Sequence, residues 1–226
     1  MKLLIVIPAF NEAQVIADVL KKIPKKINGI RTIETVVVND GSQDQTSQIS
    51  SLNSITVIDH LLNRGAGAAT KTGLTYAKNI DADITVTFDA DGQHLHEDLL
   101  KIITPILESK ADLVIGSRFL QKQNVPLDRL ILNKAANLAT LLLFGTFSTD
   151  SQSGLRAFSK KAVKLIDFKS DRMEFSSEIL LEARKNSLKV KEVPTKAIYS
   201  VYSKAKGQKN TNALPIFIRF IVKLLR

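Results

Sequence analysis

Asp89 and Asp91 stand one residue apart in "TFDADGQH" (87–94), directly after an apolar run. Two carboxylates this close repel each other at neutral pH, so the pair calls for compensating positive charge. A turn after Ala90, which Gly92 favours, lets both acids converge. Convergent carboxylates suit a hard divalent cation, Mg²⁺ or Mn²⁺, which takes oxygen ligands and also holds phosphates. The same triplet alone is equally a solvated turn. The surrounding elements must decide between the two.

Four short β-branched runs occupy the first half: "LLIVIP" (3–8), "ETVVVND" (34–40), "SITVID" (54–59) and "DITVTFD" (83–89), with a fifth, "ADLVIGS", at 111–117. Amphipathic segments near 12–23, 44–51, 66–79 and 96–109 separate them. Each run is too short for a helix and is bounded by turn residues. Strand–helix alternation at this spacing predicts an α/β fold with a mostly parallel central sheet and helices on both faces. Ligands of such sheets lie outside the carboxyl ends of the strands. Asn11 and Glu12, Asn39 and Asp40, and Asp89 and Asp91 all fall there, so three strand ends bring carboxylates to one rim.

Beyond residue 120 the alternation stops. A strongly apolar helix is expected over 128–144, a strand over 153–159, a helix near 174–186 and a basic strand over 188–200. A polar, basic loop (201–212) and an apolar helix with Arg219, Lys223 and Arg226 on one stripe complete the chain. That last helix is about half the length needed to span a bilayer. It fits an interfacial amphipathic helix, and packing against the domain or a second copy in a homo-oligomer also remains open. "MKLLIVIPAFNE" reads as a buried first strand, not a signal peptide.

Composition narrows the function classes. There is no cysteine, which removes disulfides, thiolate metal sites and cysteine nucleophiles. Residues 1–120 hold 12 Lys and Arg against 14 Asp and Glu, while residues 121–226 hold 20 against 8. The entire excess of positive charge therefore lies in the second half and points to a polyanionic partner there. A nucleic-acid partner is not expected, because the chain lacks an aromatic stacking platform and the acidic rim repels phosphates unless a metal is bound.

Seven segments now stand in order: "VIPAFNE" (6–12), "VVNDGSQDQT" (37–46), "NRGAGAA" (63–69), "DADGQH" (89–94), "DLVIGSR" (112–118), "DSQSGLRAF" (150–158) and "MEFSSEI" (173–179). Together they resemble glycosyltransferase family 2, inverting nucleotide-sugar enzymes with the GT-A fold, and within it the dolichyl- or polyprenyl-phosphate sugar synthases. The resemblance implies a GT-A catalytic domain over 1–200, with a nucleotide-binding half (1–120) and an acceptor and sugar half (121–200), followed by the 201–226 loop and helix. It implies that Pro8, Phe10 and Glu12 begin the nucleotide site and that Asp40 contacts the base or ribose. Relatives carry two aspartates there, whereas this chain has Asn39. Gly65 and Gly67 would let backbone approach the nucleotide, and Lys71 would reach its phosphate. Asp89, Ala90 and Asp91 would meet the donor, with Asp89 and Asp91 holding the metal and Gln93 as a third ligand.

For the acceptor, the resemblance implies that Arg118 and Arg129 hold a lipid phosphate, with Lys134 a weaker alternative. Gln152, Ser153, Arg156 and Glu174 lie in stretches that resemble the sugar-facing wall, each with an ordinary structural role open to it. His60, His94 and His96 read as surface or supporting residues. The expected activity is metal-dependent, inverting transfer of a hexose from GDP-mannose or a UDP-hexose to a polyprenyl phosphate. The expected place is the cytoplasmic membrane face, reached through the C-terminal helix or a companion membrane protein. The alternative is transfer to a saccharide hydroxyl, which needs a carboxylate base; the acids at 171–182 are the pool for one.

Overall fold

The structure is a computed structural model that describes residues 1–52, 55–94, 96–121, 127–196 and 198. The basic stretch 201–212 and the apolar stretch 213–226 lie outside the described residues. The first half alternates as expected: β1 (Lys2–Ala9), α1 (Ile16–Lys22), β2 (Thr32–Asn39), α2 (Thr46–Leu52), β3 (Thr56–Asp59), α3 (Ala66–Asn79), β4 (Ile84–Thr87), α4 (Asp98–Leu107) and β5 (Leu113–Ser117). Then follow α5 (Leu127–Phe144), β6 (Arg156–Ser159), α6 (Lys160–Leu165), α7 (Phe175–Lys185) and β7 (Val190–Pro194).

All seven strands join one sheet in the order β3-β2-β1-β4-β6-β5-β7. Neighbours run parallel except around β6, which is antiparallel to both β4 and β5. Strands from both halves of the chain therefore share a single sheet. Winding outward from β1 goes through β2 to β3 on one side and through β4 on the other. The crevice at such a reversal is where open α/β sheets bind ligands.

The alternation of β1 shows why this sheet is buried on both faces. Leu3, Ile5 and Ile7 face a core with Ile16 and Val19 of α1 and Leu99 and Ile102 of α4. Leu4 and Val6 face a second core with Ala69 and Leu74 of α3, Phe158, and Ile179 and Leu180 of α7. Successive strand residues point to opposite sides, so a continuous apolar run feeds both layers.

Three elements differ from the sequence-based expectation. The basic strand expected over 188–200 is the shorter β7, which Pro194 ends. β6 begins at Arg156 rather than at 153, because Ser153 leaves the ladder: its amide bonds Asp150 O and its hydroxyl bonds Gly116 O. The short α6 was not expected. Ser159 caps it, accepting from the Ala162 amide at 3.1 Å.

α3 lies close on β1 because Gly73 has no side chain. A Cβ at Gly73 would stand 2.1 Å from Val6 Cγ1. Alanine normally favours a helix by about 1 kcal/mol over glycine, whereas overpacking a core costs about 1–3 kcal/mol. Gly73→Ala is therefore expected to lower the melting temperature. In a thermal-unfolding cycle, Val6→Ala should cost less in the Gly73→Ala background than in the wild type, and strictly additive losses would rule out the contact.

Candidate active site

The carboxyl ends of β1 and β4 and the start of β6 enclose a cleft of about 160 Å³. Pro8 and Glu12 form its β1 side, Asp89, Ala90 and Asp91 its β4 side, and Gly154, Arg156, Phe175 and Ile179 the facing wall. The rim expected from the sequence is thus a cavity lined by three of the predicted acids. Gly92 turns the chain just beyond them with φ of 73°.

Asp89 opens on the cleft, its side chain 44% exposed. Its Oδ2 lies 3.0 Å from Nε2 of buried His94, which packs edge-on against Phe88. Enclosure by the cleft walls opposes ionisation of Asp89, but the His94 contact and the nearby Arg118 and Arg156 guanidinium groups outweigh it. Its pKa falls below the usual carboxylate value. Asp91 is driven the other way. Burial first, and then repulsion from Asp89, raise its pKa against two bonds from Gln93. The Gln93 backbone amide donates to Asp91 Oδ1 at 2.9 Å, and its side-chain amide donates to Oδ2. Gln93 therefore stands as a support for Asp91 in this arrangement rather than as a third ligand. Among the described residues, no third histidine, cysteine or carboxylate joins the pair to form a metal cluster.

Gly154 explains how Asp89 comes so near the facing wall. A Cβ on Gly154 would lie 2.1 Å from Asp89 Oδ2, so only glycine leaves room for that carboxylate. Thr87 ties the two strands here, its hydroxyl donating to Gly154 O at 2.8 Å.

Several expected residues hold the site without lining it. Asp40 is buried and accepts from the Gly65 amide at 2.6 Å and the Arg64 amide at 3.1 Å, while its Oδ1 lies 2.7 Å from His60 Nδ1. It organises the loop that leads into α3. Gly65 and Gly67 do permit close approach, but to the backbone of Ser170 and Asp171, whose carbonyl oxygens would meet their Cβ atoms at 2.5 and 2.3 Å. Gly65 has φ of 115° as well. Lys71 is turned away from the cleft: Nζ donates to Phe168 O at 3.0 Å and pairs with Asp167 at 3.1 Å. In this arrangement it clamps the 167–168 loop. Asn39 gives its amide to Asp59 at 2.7 Å and accepts from the Ser42 amide. An aspartate there would face Asp59 directly, which accounts for the asparagine without involving the cleft.

Arg118 meets Asp150 through a two-pronged ion pair, Nε to Oδ2 at 2.7 Å and Nη2 to Oδ1 at 2.8 Å. Asp150 is fully buried and also accepts from Asn133 on α5. The guanidinium is therefore fixed by a partner that the sequence reading left without a role. Arg129 falls on α5, and its side chain lies outside the description; Lys134 is exposed there. Phe10 lies past the end of β1 at 39% exposure, and Glu174 occupies the N-cap position of α7.

The opposed behaviour of the two acids has a measurable consequence in metal-free buffer. A carboxyl whose pKa is raised by folding favours the protonated form in the native state. Its contribution to stability then declines as pH rises from the unfolded value through the raised one. Asp91→Asn is expected to raise the melting temperature at pH 7 with chelator present. The gain should shrink as pH falls toward 3.8, the unperturbed value. A variant less stable than wild type at pH 7 would contradict the repulsion argued here.

Residues 4–166 match glycosyl transferase family 2. Over 227 residues the chain is 44% identical to an uncharacterized protein, MJ1222, of Methanocaldococcus jannaschii, covering 98% of this chain and 92% of that one. It is 38% identical over 240 residues to the UDP-N-acetylglucosamine–dolichyl-phosphate N-acetylglucosaminyltransferase of Methanococcus voltae, covering 96% and 94%. The glucosyl-3-phosphoglycerate synthase of Mycobacterium tuberculosis, crystallised with Mn²⁺, uridine diphosphate and phosphoglyceric acid, shares the fold at a TM-score of 0.70 and 18% identity. That match covers 97% of this chain and 78% of the other. With a GT-A sheet and a family match across most of its length, the chain belongs to glycosyl transferase family 2 and is a glycosyltransferase similar to the dolichyl- and polyprenyl-phosphate sugar synthases.

Proposed function

We propose that this enzyme transfers a hexose, with inversion and with a divalent metal ion, from a nucleoside-diphosphate sugar to a polyprenyl phosphate at the cytoplasmic membrane face. The observation that carries the reading is where the cleft places its carboxylates. Glu12 lies at the β1 end and Asp89 and Asp91 at the β4 end, whereas the described residues of the facing wall supply none. A hydroxyl acceptor needs a base near the anomeric carbon. A phosphate monoester does not, since its second pKa of about 6 leaves it anionic near neutral pH.

Three of the four acids at 171–182 are engaged elsewhere: Glu178 accepts from the Lys169 and Ser170 amides, Glu182 pairs with Lys185, and Asp171 pairs with Arg64. The fourth, Glu174, is buried at the N-cap of α7 and does not line the cleft. The dolichyl-phosphate specificity in the name of the 38% identical relative supports the same acceptor class. GDP-mannose and UDP-hexoses remain the donor classes, and a dolichol-phosphate mannosyltransferase of Pyrococcus furiosus, 28% identical over 237 residues, stands beside the N-acetylglucosaminyl enzyme.

The hard oxygen donors of Asp89 and Asp91, and the unfavourable second charge on Asp91, fit Mg²⁺ or Mn²⁺. Such an ion, when bound, neutralises charge on the departing diphosphate. Glu12, which lines the cleft, would accept from ribose hydroxyls. Arg118, fixed by Asp150, would meet the acceptor phosphate, a role that the resemblance also gives to Arg129. On α5, Ile131, Leu138 and Leu142 are exposed at spacings of seven and four, one apolar helix face. That face supports peripheral contact with a lipid surface. Among the described residues no helix is long and apolar enough to cross a membrane.

Transfer of labelled sugar to a short-chain prenyl phosphate, with an oligosaccharide acceptor in parallel, tests the reading. Asp89→Ala and Asp91→Asn should each lower the rate by about a hundredfold or more, with the far-ultraviolet dichroism unchanged. Undiminished turnover in excess EDTA would defeat the metal requirement, and label in the oligosaccharide alone would defeat the lipid acceptor.

A further inference from the structure

Arg156 opens β6 at the cleft, in register with Thr87, the last residue of β4. Its side chain is 1% exposed and lines the facing wall. Nη2 donates to Ser151 O at 2.7 Å, but Nε and Nη1 have no hydrogen-bond partner among the described residues. The guanidinium carbon stands 5.9 Å from the centre of the Phe175 ring. Burial lowers the Arg156 pKa to about 10, against the pull of Asp150 and Asp89, so the group stays cationic at neutral pH. A buried cation with idle donors is among the least favourable arrangements a fold can keep. Such a group in a native protein calls for a ligand.

We propose that Arg156 binds the donor through Nε and Nη1, taking an oxygen that accepts hydrogen bonds and donates none. That description covers a phosphoryl oxygen of the diphosphate and the carbonyl oxygen of an N-acetylated sugar. The inference rests on the nucleotide-sugar reading of this cleft. Guanidinium is a donor only. A sugar hydroxyl bound there would also need an acceptor for its own proton. Ser151 O already accepts from Arg156 and Gly154 O from Thr87, and Asp89, the acid of the same cleft, is given to the metal in the donor complex proposed above. Strand order locates the contact. On the nucleotide-sugar reading the nucleoside lies over the ends of β1 and β2; the acid pair follows β4, so β6, one strand further, would lie under the far end of the diphosphate and the sugar. Phe175 and Ile179 make the neighbouring wall apolar, as the methyl of an acetamido group requires. Both nitrogens are closed to solvent, so the oxygen enters with a small shift of the side chains around them.

Titration calorimetry with Mn²⁺ tests this, using UDP, UDP-glucose, UDP-N-acetylglucosamine, GDP and GDP-mannose against the wild type and Arg156→Lys. Lysine keeps the charge and loses the planar fork. The nucleotides that bind the wild type should bind the variant about tenfold more weakly or worse. Equal loss for a bare diphosphate and its sugar assigns the phosphoryl oxygen. Loss confined to UDP-N-acetylglucosamine assigns the carbonyl oxygen. Loss confined to UDP-glucose or GDP-mannose points to a hydroxyl and overturns the proposal, as does unchanged affinity throughout. If no nucleotide binds the wild type, the nucleotide-sugar reading falls and this inference with it. Should Arg156→Lys not fold, the Nε–H resonance of Arg156 in ¹⁵N-labelled wild type gives the same answer: a shift on titration supports the contact, and an unmoved resonance rejects it.

Discussion

The structure depends on how charge is balanced around Asp89. Two carboxylates one residue apart on a partly enclosed rim are unstable without positive charge nearby. His94, packed under Phe88, touches Asp89 directly, while Arg156 and Arg118 act on it through space. These three groups come from the loop after β4, from β6 and from the end of β5. β6 matters most, because its antiparallel insertion between β4 and β5 carries Arg156 to the same rim as the carboxyl ends of the parallel strands. The compensation is weaker at Asp91. The bonds of Gln93 and the charge of His94 do not offset its burial and the repulsion from Asp89, so it is the acid that gains most from an arriving cation.

Acids away from the cleft do a different job. Asp40 gathers the Arg64 and Gly65 amides, Glu178 those of Lys169 and Ser170, and Glu192 the Thr149 amide with the Ser148 hydroxyl. Asp98, fully buried, accepts the Lys196 amide and the Lys101 ammonium. Charge-assisted bonds to backbone amides are stronger than neutral ones and leave loops little freedom. The loops that frame the cleft are thus tied down by carboxylates.

The legible and the hidden parts of this protein separate along sequence distance. The strands of the first half, their parallel arrangement and the arrival of Glu12, Asp89 and Asp91 at one rim follow from local periodicity and turn residues. What escaped depends on partners far apart in the chain. Lys71 meets Phe168, 97 positions away, and Arg118 meets Asp150, 32 positions away. Gly65 and Gly67 have the small size that a nucleotide would demand, but the Ser170–Asp171 backbone demands it first. Asn39 looked like a missing charge and is the hydrogen-bond partner of Asp59. No pattern within a short window distinguishes these partners from a ligand. Only β6 slipping between β4 and β5 turned Arg156 from one more basic residue into a buried cation on the cleft wall.

The uneven spread of charge along the chain acquires a physical sense in this geometry. The acidic first half supplies the rim where a cation is stabilised, and the second half holds 20 Lys and Arg against 8 acids. Moving a sugar from a nucleoside diphosphate to a lipid phosphate, the reaction proposed above, brings two anions together, and each would need positive charge from a different side: a metal ion for the departing diphosphate and protein for the acceptor. Arg118 is already paired with the buried Asp150. On the reading proposed above, the acceptor side would therefore draw on further basic residues of the second half of the chain, whose α5 also carries an exposed apolar face. A lipid phosphate is the anion whose own tail would use such a face.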